Sequence, residues 1–120
     1  MSNLSHLRIQ RDNKVTPTPI SQVKRANTFW TRLVGLLNRA ELSHTEGLLI
    51  EPCSSIHTVG MRFAIDVIYL SKENKVLGVH ESVAPYKFRV GPKKAVKVLE
   101  VSEGNVNRTG IHLDDILIFD

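Results

Sequence analysis

The chain has 120 residues, 42% hydrophobic and 23% charged, and sixteen Lys and Arg against twelve Asp and Glu give a net charge of +4. That size and balance fit one soluble domain with a single core. No apolar run approaches the ~20 residues that span a bilayer, no secretory signal precedes the first polar stretch, and one cysteine excludes an internal disulfide, so a cytoplasmic protein with no membrane partner is expected.

Residues 1–18 are polar and run into Thr16-Pro17-Thr18-Pro19. Alternating prolines disfavour helix and central strand, which predicts an extended or frayed segment before a domain spanning residues 19–120. Leu7 and Ile9 suit a short edge strand, and Ile20 to Ala26 a second. A helix is predicted over about residues 28–38, capped by Thr28 or Asn27. Phe29, Trp30, Leu33, Val34, Leu36 and Leu37 fall within one arc of it. Gly35 lies on the polar arc, which favours close approach of another segment there.

Leu48 to Glu51 reads as a short apolar strand ended by Pro52. Phe63 to Leu70 is the strongest strand, apolar on both faces except at Asp66, and therefore covered on both sides. The polar loop at residues 72–75 joins it to Val76–Val83 as a hairpin. Pro85 and Gly91-Pro92 bracket a weakly stranded connection. Ala95–Val101 follows as a strand, then a single turn over Asn105–Thr109 stopped by Gly110, then a last strand at Ile116–Phe119. Six or seven short strands and one helix predict a mostly β fold, an antiparallel sandwich or partly closed barrel with the helix packed on it.

Chemistry-bearing residues concentrate between Glu51 and Asp66. Asp66 lies between apolar Ala64 and Ile68, so burial is expected, and a buried carboxylate must be paired, hydrogen-bonded or protonated. Arg62 shares its strand face but sits about 13 Å away at ~3.3 Å per residue. The partner must therefore come from elsewhere: His57, Arg32 or loop N–H groups. A structural carboxylate held by backbone N–H groups is the weightier reading. Glu100 is a second acid on an apolar face, beside Val96 and Val98. If it meets Asp66, the two suit general acid and base work or a hard cation.

Cys53 and His57 offer a thiol and an imidazole separated by three residues, a weak signal for catalysis and an incomplete set for zinc; a small buried thiol beside a hydrogen-bonded histidine outweighs both. Met61 reads as core. Arg62, at the mouth of the strand, would hold an anionic ligand or brace Glu51. Lys87, Arg89, Lys93, Lys94 and Lys97 form a basic segment with Tyr86 and Phe88 close by. A solvated strand edge explains it better than nucleic acid, since no groove-reading motif accompanies the charge.

Two stretches resemble a known family. Arg32-Leu33-Val34-Gly35-Leu36-Leu37-Asn38-Arg39 is similar to its R-x-x-G-L-x-x-R segment. Gly47 to Val67, with Pro52-Cys53, Ser55-Ile56-His57-Thr58 and Gly60-Met61-Arg62-Phe63, resembles its central signature. Val98-Leu99-Glu100, Gly104 and Gly110-Ile111 match its closing pattern. On these residues the chain is identified as a member of the DUF-192 group, a domain of unknown function, over about residues 20–120. The resemblance implies a compact jelly-roll-like sandwich with a packed helix and assigns no activity. One departure stands out: Asp114-Asp115 replaces the family's Gly-Asp, so Asp114 is expected to take a left-handed conformation at some cost.

Three uses of the chain compete on this reading. The favoured one is a small ligand- or protein-binding accessory domain, with its site around residues 51–66 and Arg62, His57, Met61 and Asp66 lining it. It needs no metal and names no cofactor. The first alternative is an enzyme using Asp66 or Glu100 with His57 and perhaps Cys53. The second is anion or nucleic-acid binding by the 87–97 segment.

Overall fold

The computed structural model describes residues 4–26 and 39–120. The helix expected at about residues 28–38, with Gly35, lies outside the described residues.

The central element is a five-stranded sheet. Its strands are β3 (Gln22–Ala26), β4 (Glu46–Ile50), β9 (Lys97–Ser102), β6 (Ile65–Leu70) and β7 (Val76–Val83), side by side in that order. All pairs are antiparallel except β3 with β4, which run parallel from Gln22↔Glu46 to Ala26↔Ile50. The sheet is mostly antiparallel, as expected, and the one parallel pair has a long connection between its strands, which a parallel crossover needs and a hairpin does not. A second sheet orders β10 (Ile116–Phe119), β1 (Leu7–Arg11) and β2 (Lys14–Pro17). A two-stranded ribbon joins β5 (Ser55–His57) to β8 (Phe88–Val90). The one helix among the described residues is α1, Asn105–Thr109. The fold is mostly β, its sheets are not closed into a barrel, and the layers are those of a sandwich.

Strand alternation divides the core in two. Leu49, Ile68, Leu70, Leu99 and Val101 face one way and pack against Leu7, Ile9, Leu117, Val106 and Ile111 of the second sheet and α1. Leu48, Ile50, Val67, Tyr69 and Val98 face the other way and meet Ile56, Met61 and Ala95. Every residue of β6 is consequently buried, as its two apolar faces predicted.

The segment expected to be extended or frayed is instead a hairpin. β1 pairs β2 on one side and β10 on the other, and Asp12 (φ 52) and Asn13 (φ 63) make its turn. Two left-handed residues match the right-handed twist of the flanking strands, and Asp and Asn tolerate that conformation better than most. All of β2 is exposed, which is why no hydrophobic alternation announced it. Asp114 does take the left-handed conformation, at φ 71, where the family's glycine would sit without strain.

Asp115 ties the chain ends together. Arg11 Nε and Nη2 each donate to its carboxylate at 2.7 Å, and Nη2 also reaches Gly110 O at 2.7 Å. The Arg11 guanidinium holds the Asp115 carboxyl below the usual aspartate range, helped by the His112 N–H and opposed in part by burial. A carboxyl with a lowered folded pKa contributes stability that is present above its unfolded value of about 3.9 and lost as pH falls through the folded one. Urea midpoints are therefore expected to drop as pH is lowered below about 5, and Arg11→Gln is expected to flatten that drop while lowering the midpoint at neutral pH. An unchanged acid limb in Arg11→Gln would assign the acid sensitivity to other groups.

Candidate functional site

The two carboxylates singled out in the sequence do not meet. In the β6–β9 pairing Asp66 lies opposite Val101, and Val67 opposite Glu100. Directly opposed residues share a face, so Asp66 points to the side of Val101 and Glu100 to the side of Val67. One sheet separates them, and the enzyme reading loses its acid–base pair.

Asp66 has a structural task. It is fully buried, and Oδ1 accepts from Ser82 N at 2.9 Å while Oδ2 accepts from Gly104 N and Val106 N at 3.0 Å each. The first contact exists because β7 carries an extra residue between Val83 and His80, with Ser82 at φ 53, which turns its N–H inward. The other two close the start of α1, where Gly104 has no capping side chain. Loop N–H groups are thus the partners that Asp66 required, and its oxygens are engaged inside the fold rather than offered to a ligand.

Met61 is 4% exposed and belongs to the core. Arg62 is exposed, and Glu51 meets Lys97 at 3.9 Å, not the Arg62 brace expected. Cys53 is half-buried, its thiol donating to Ser55 O at 2.9 Å and its backbone N–H to Val96 O. Tyr69 lies nearby, its hydroxyl 3.0 Å from His80 Nδ1. Burial first, then the charges of Cys53 and Glu100, push the Tyr69 phenol up to about 12, against an opposing pull from Arg89. This buried phenol lies on the face away from Asp66. Among the described residues no group of three His, Cys, Asp or Glu side chains is placed to hold a metal ion.

His57 sits on β5, and β5 links two stretches that are far apart in sequence. The ribbon pairs Ser55↔Val90, Ile56↔Arg89 and His57↔Phe88. Ile56 and Arg89 share the inward face; Phe88 and Val90 lie exposed on the other, with Ser55 and His57 half-buried beside them. Thr58, fully buried, fixes one end: its hydroxyl donates to Ala84 O at 2.6 Å and accepts from Lys87 N at 2.8 Å. Its backbone N–H donates to Lys87 O, and its carbonyl accepts from Tyr86 N. This clamp holds Tyr86 in the left-handed conformation, φ 64, a costly state for a bulky residue that persists where its surroundings over-determine it. At the other end Gly91 N donates to Ser54 O at 2.9 Å.

The result is an apolar surface on a strand with few neighbours. Tyr86, Phe88 and Val90 are 70%, 62% and 63% exposed, at alternate positions, and Val59 in the adjoining turn is 53% exposed. Single exposed apolar side chains are ordinary, but Phe88 and Val90 on one face of β8, with Tyr86 and Val59 exposed in the turns at its end, gather several in one place. Sequence reasoning named Tyr86 and Phe88 only as companions of the lysines, gave Thr58 only as part of the family signature, and passed over Val90. Their alternation was visible; the pairing with β5 that aims them outward was not.

The family model DUF192, described as an uncharacterized ACR, matches residues 9–119. Two solved structures resemble the fold. One is a protein of unknown function from Novosphingobium aromaticivorans, with TM-score 0.78 and 19% identity over 94% of this chain and 83% of that one. The other, from Sinorhizobium meliloti, is described as a candidate transcription regulator, with TM-score 0.82 and 18% identity over 99% and 96% of the two chains. No curated protein matches. Among the described residues no helix is long and apolar enough to cross a membrane.

Proposed function

This chain belongs to the DUF192 family, and we propose on that footing that it is a protein-binding accessory module whose contact surface is the outward face of the β5–β8 ribbon with the adjoining 58–62 turn. The observation that carries the reading is the exposed group Tyr86, Phe88 and Val90, held by the Thr58 clamp against residues of the family signature. Fixing a bulky residue at positive φ in an exposed turn is unfavourable for the free chain and is the kind of cost that accompanies a working surface.

A partner protein suits this surface better than a small molecule. Small ligands favour concave, enclosed sites. The cavities of ≈ 450 Å³ between the β1–β2 turn and residues 112–116, and of ≈ 340 Å³ beside Arg25 and Glu51, are elsewhere. The Sinorhizobium meliloti protein is described as a candidate regulator, and regulators act by binding; that likeness of fold accords with a binding module and brings no substrate with it.

Selection of random peptides on the immobilised chain, followed by amide mapping of each complex, tests the proposal. Selected peptides are expected to perturb the amides of Ser55–Thr58 and Tyr86–Gly91 and to lose at least about tenfold in affinity on Phe88→Asp, the usual scale for a buried aromatic anchor. Peptides that map to other surfaces, or that bind Phe88→Asp unchanged, would overturn it.

A further inference from the structure

The outer edge of β8 has its own chemistry, and the inference drawn from it rests on the reading above. Parity along the ribbon decides which backbone groups point where. Lys87 O and Gly91 N bond to β5 at Thr58 and Ser54, so residues 87, 89 and 91 turn their backbone groups toward β5. Phe88 and Val90, between them, turn theirs the other way. β8 has no neighbour on that side among the described residues. Of the four outward groups, the Phe88 carbonyl accepts from Arg89 Nη1 at 2.8 Å. Both amide N–H groups and the Val90 carbonyl remain as a short open ladder.

Charge selects what can occupy it. The nine residues Tyr86–Lys94 carry Lys87, Arg89, Lys93 and Lys94 and no acid. The contact with Phe88 O places the Arg89 guanidinium at the seam itself. Basic side chains on an edge strand discourage pairing with a second copy, which would bring like charges together. They leave the edge open to an acidic chain. A nucleic acid would meet the charge and stack on Tyr86 and Phe88, but it has no regular ladder of amides and carbonyls to complement the open one.

We propose that β8 accepts an acidic, extended segment of a partner protein as an added antiparallel or parallel strand. The partner's backbone bonds the Phe88 and Val90 amides, its carboxylates meet Arg89, Lys93 and Lys94, and its apolar side chains cover Phe88 and Val90. Main-chain bonds supply the affinity in this mode, and alternate side chains supply the selectivity.

The test uses a fluorescein-labelled heptapeptide alternating glutamate and valine, read by anisotropy and by hydrogen exchange of the Phe88 and Val90 amides. Binding is expected to protect both amides. It is expected to weaken at least about tenfold when alternate peptide nitrogens are methylated, when lysine replaces glutamate, or in the Lys93→Glu/Lys94→Glu variant, each removing an edge bond or a charge pair. Equal binding of the methylated peptide overturns strand addition. Tighter binding of a single-stranded oligothymidylate assigns the surface to nucleic acid, and concentration-dependent dimerisation abolished by Phe88→Asp assigns it to a second copy; either overturns the proposal. If the heptapeptide fails to bind while selected peptides still map to the ribbon, only this inference falls. If neither binds there, the protein-binding reading falls with it.

Discussion

Asp66→Ala is expected to destabilise the chain by about 3–5 kcal/mol, because it removes the shared acceptor of three N–H donors at once, that of Val106 buried and those of Ser82 and Gly104 part-buried, each costing about 1–3 kcal/mol when left unmade. The donors belong to two different places, Ser82 on β7 and Gly104 and Val106 at the start of α1, so the loss is felt on both sides of β6. A domain of this size has a total stability on the order of 5–15 kcal/mol, and the variant would stand near its unfolding threshold. Thermal unfolding is expected to shift down by roughly 15 °C. Asp66→Asn provides the comparison. Its carbonyl still serves one side, but its NH2 group then faces a donor on the other, and an intermediate loss is expected. If Asp66→Ala unfolds within about 1 kcal/mol of the parent, the capping role assigned here is wrong. Hydrogen exchange separates the contributions: in Asp66→Asn the faster amides identify which side lost its acceptor.

Gly91→Ala is expected to be nearly as damaging, for a steric reason. A Cβ at residue 91 would lie 2.3 Å from Tyr69 Cδ1 and 2.6 Å from Cε1, distances that real carbon contacts do not reach. Tyr69 has no room to retreat. It is fully buried, and its ring stands edge-on to His80 at 89° with centroids 5.4 Å apart. The crowding has a clear origin: Tyr69 pairs with Gly78 across β6 and β7, and the Gly91-Pro92 crossing rests on that pair, Gly91 on the ring and Pro92 on the Gly78 backbone. Overpacking of this kind costs about 1–3 kcal/mol or more, and the upper end is expected here. Because Gly91 also anchors β8 to Ser54, displacing it should weaken peptide binding at the ribbon alongside stability. A double-mutant cycle with Tyr69→Leu isolates the clash. The cost of Gly91→Ala is expected to fall to about 1 kcal/mol or less in that background, and an unchanged cost would place its origin in the backbone instead.

These two residues illustrate how differently the sequence speaks about local and distant contacts. The left-handed residues at Gly110 and Asp114 were legible, since each is dictated by a turn of a few residues. The β6–β7 hairpin, the last strand at Ile116–Phe119 and the burial of all of β6 were legible for the same reason: periodicity and turn chemistry act over short spans. The need for partners at Asp66 was also plain, because an acid between Ala64 and Ile68 cannot stay bare. Who those partners were was not, since Ser82, Gly104 and Val106 arrive through a bulge and a helix start elsewhere in the chain.

The candidate site divides along the same line. By itself the sequence determined a mostly β fold, a signature between Gly47 and Val67, and a basic run beside two aromatics. Only the tertiary structure decided that Asp66 and Glu100 lie on opposite faces of one sheet, because a register of one residue sends neighbouring side chains to opposite sides. Only the pairing of β5 with β8 brought the signature and the basic run to one surface, with Phe88 and Val90 outward and Ile56 and Arg89 inward. Periodicity within a strand says which residues share a face. Which of its two faces meets the core is set by the strand beside it.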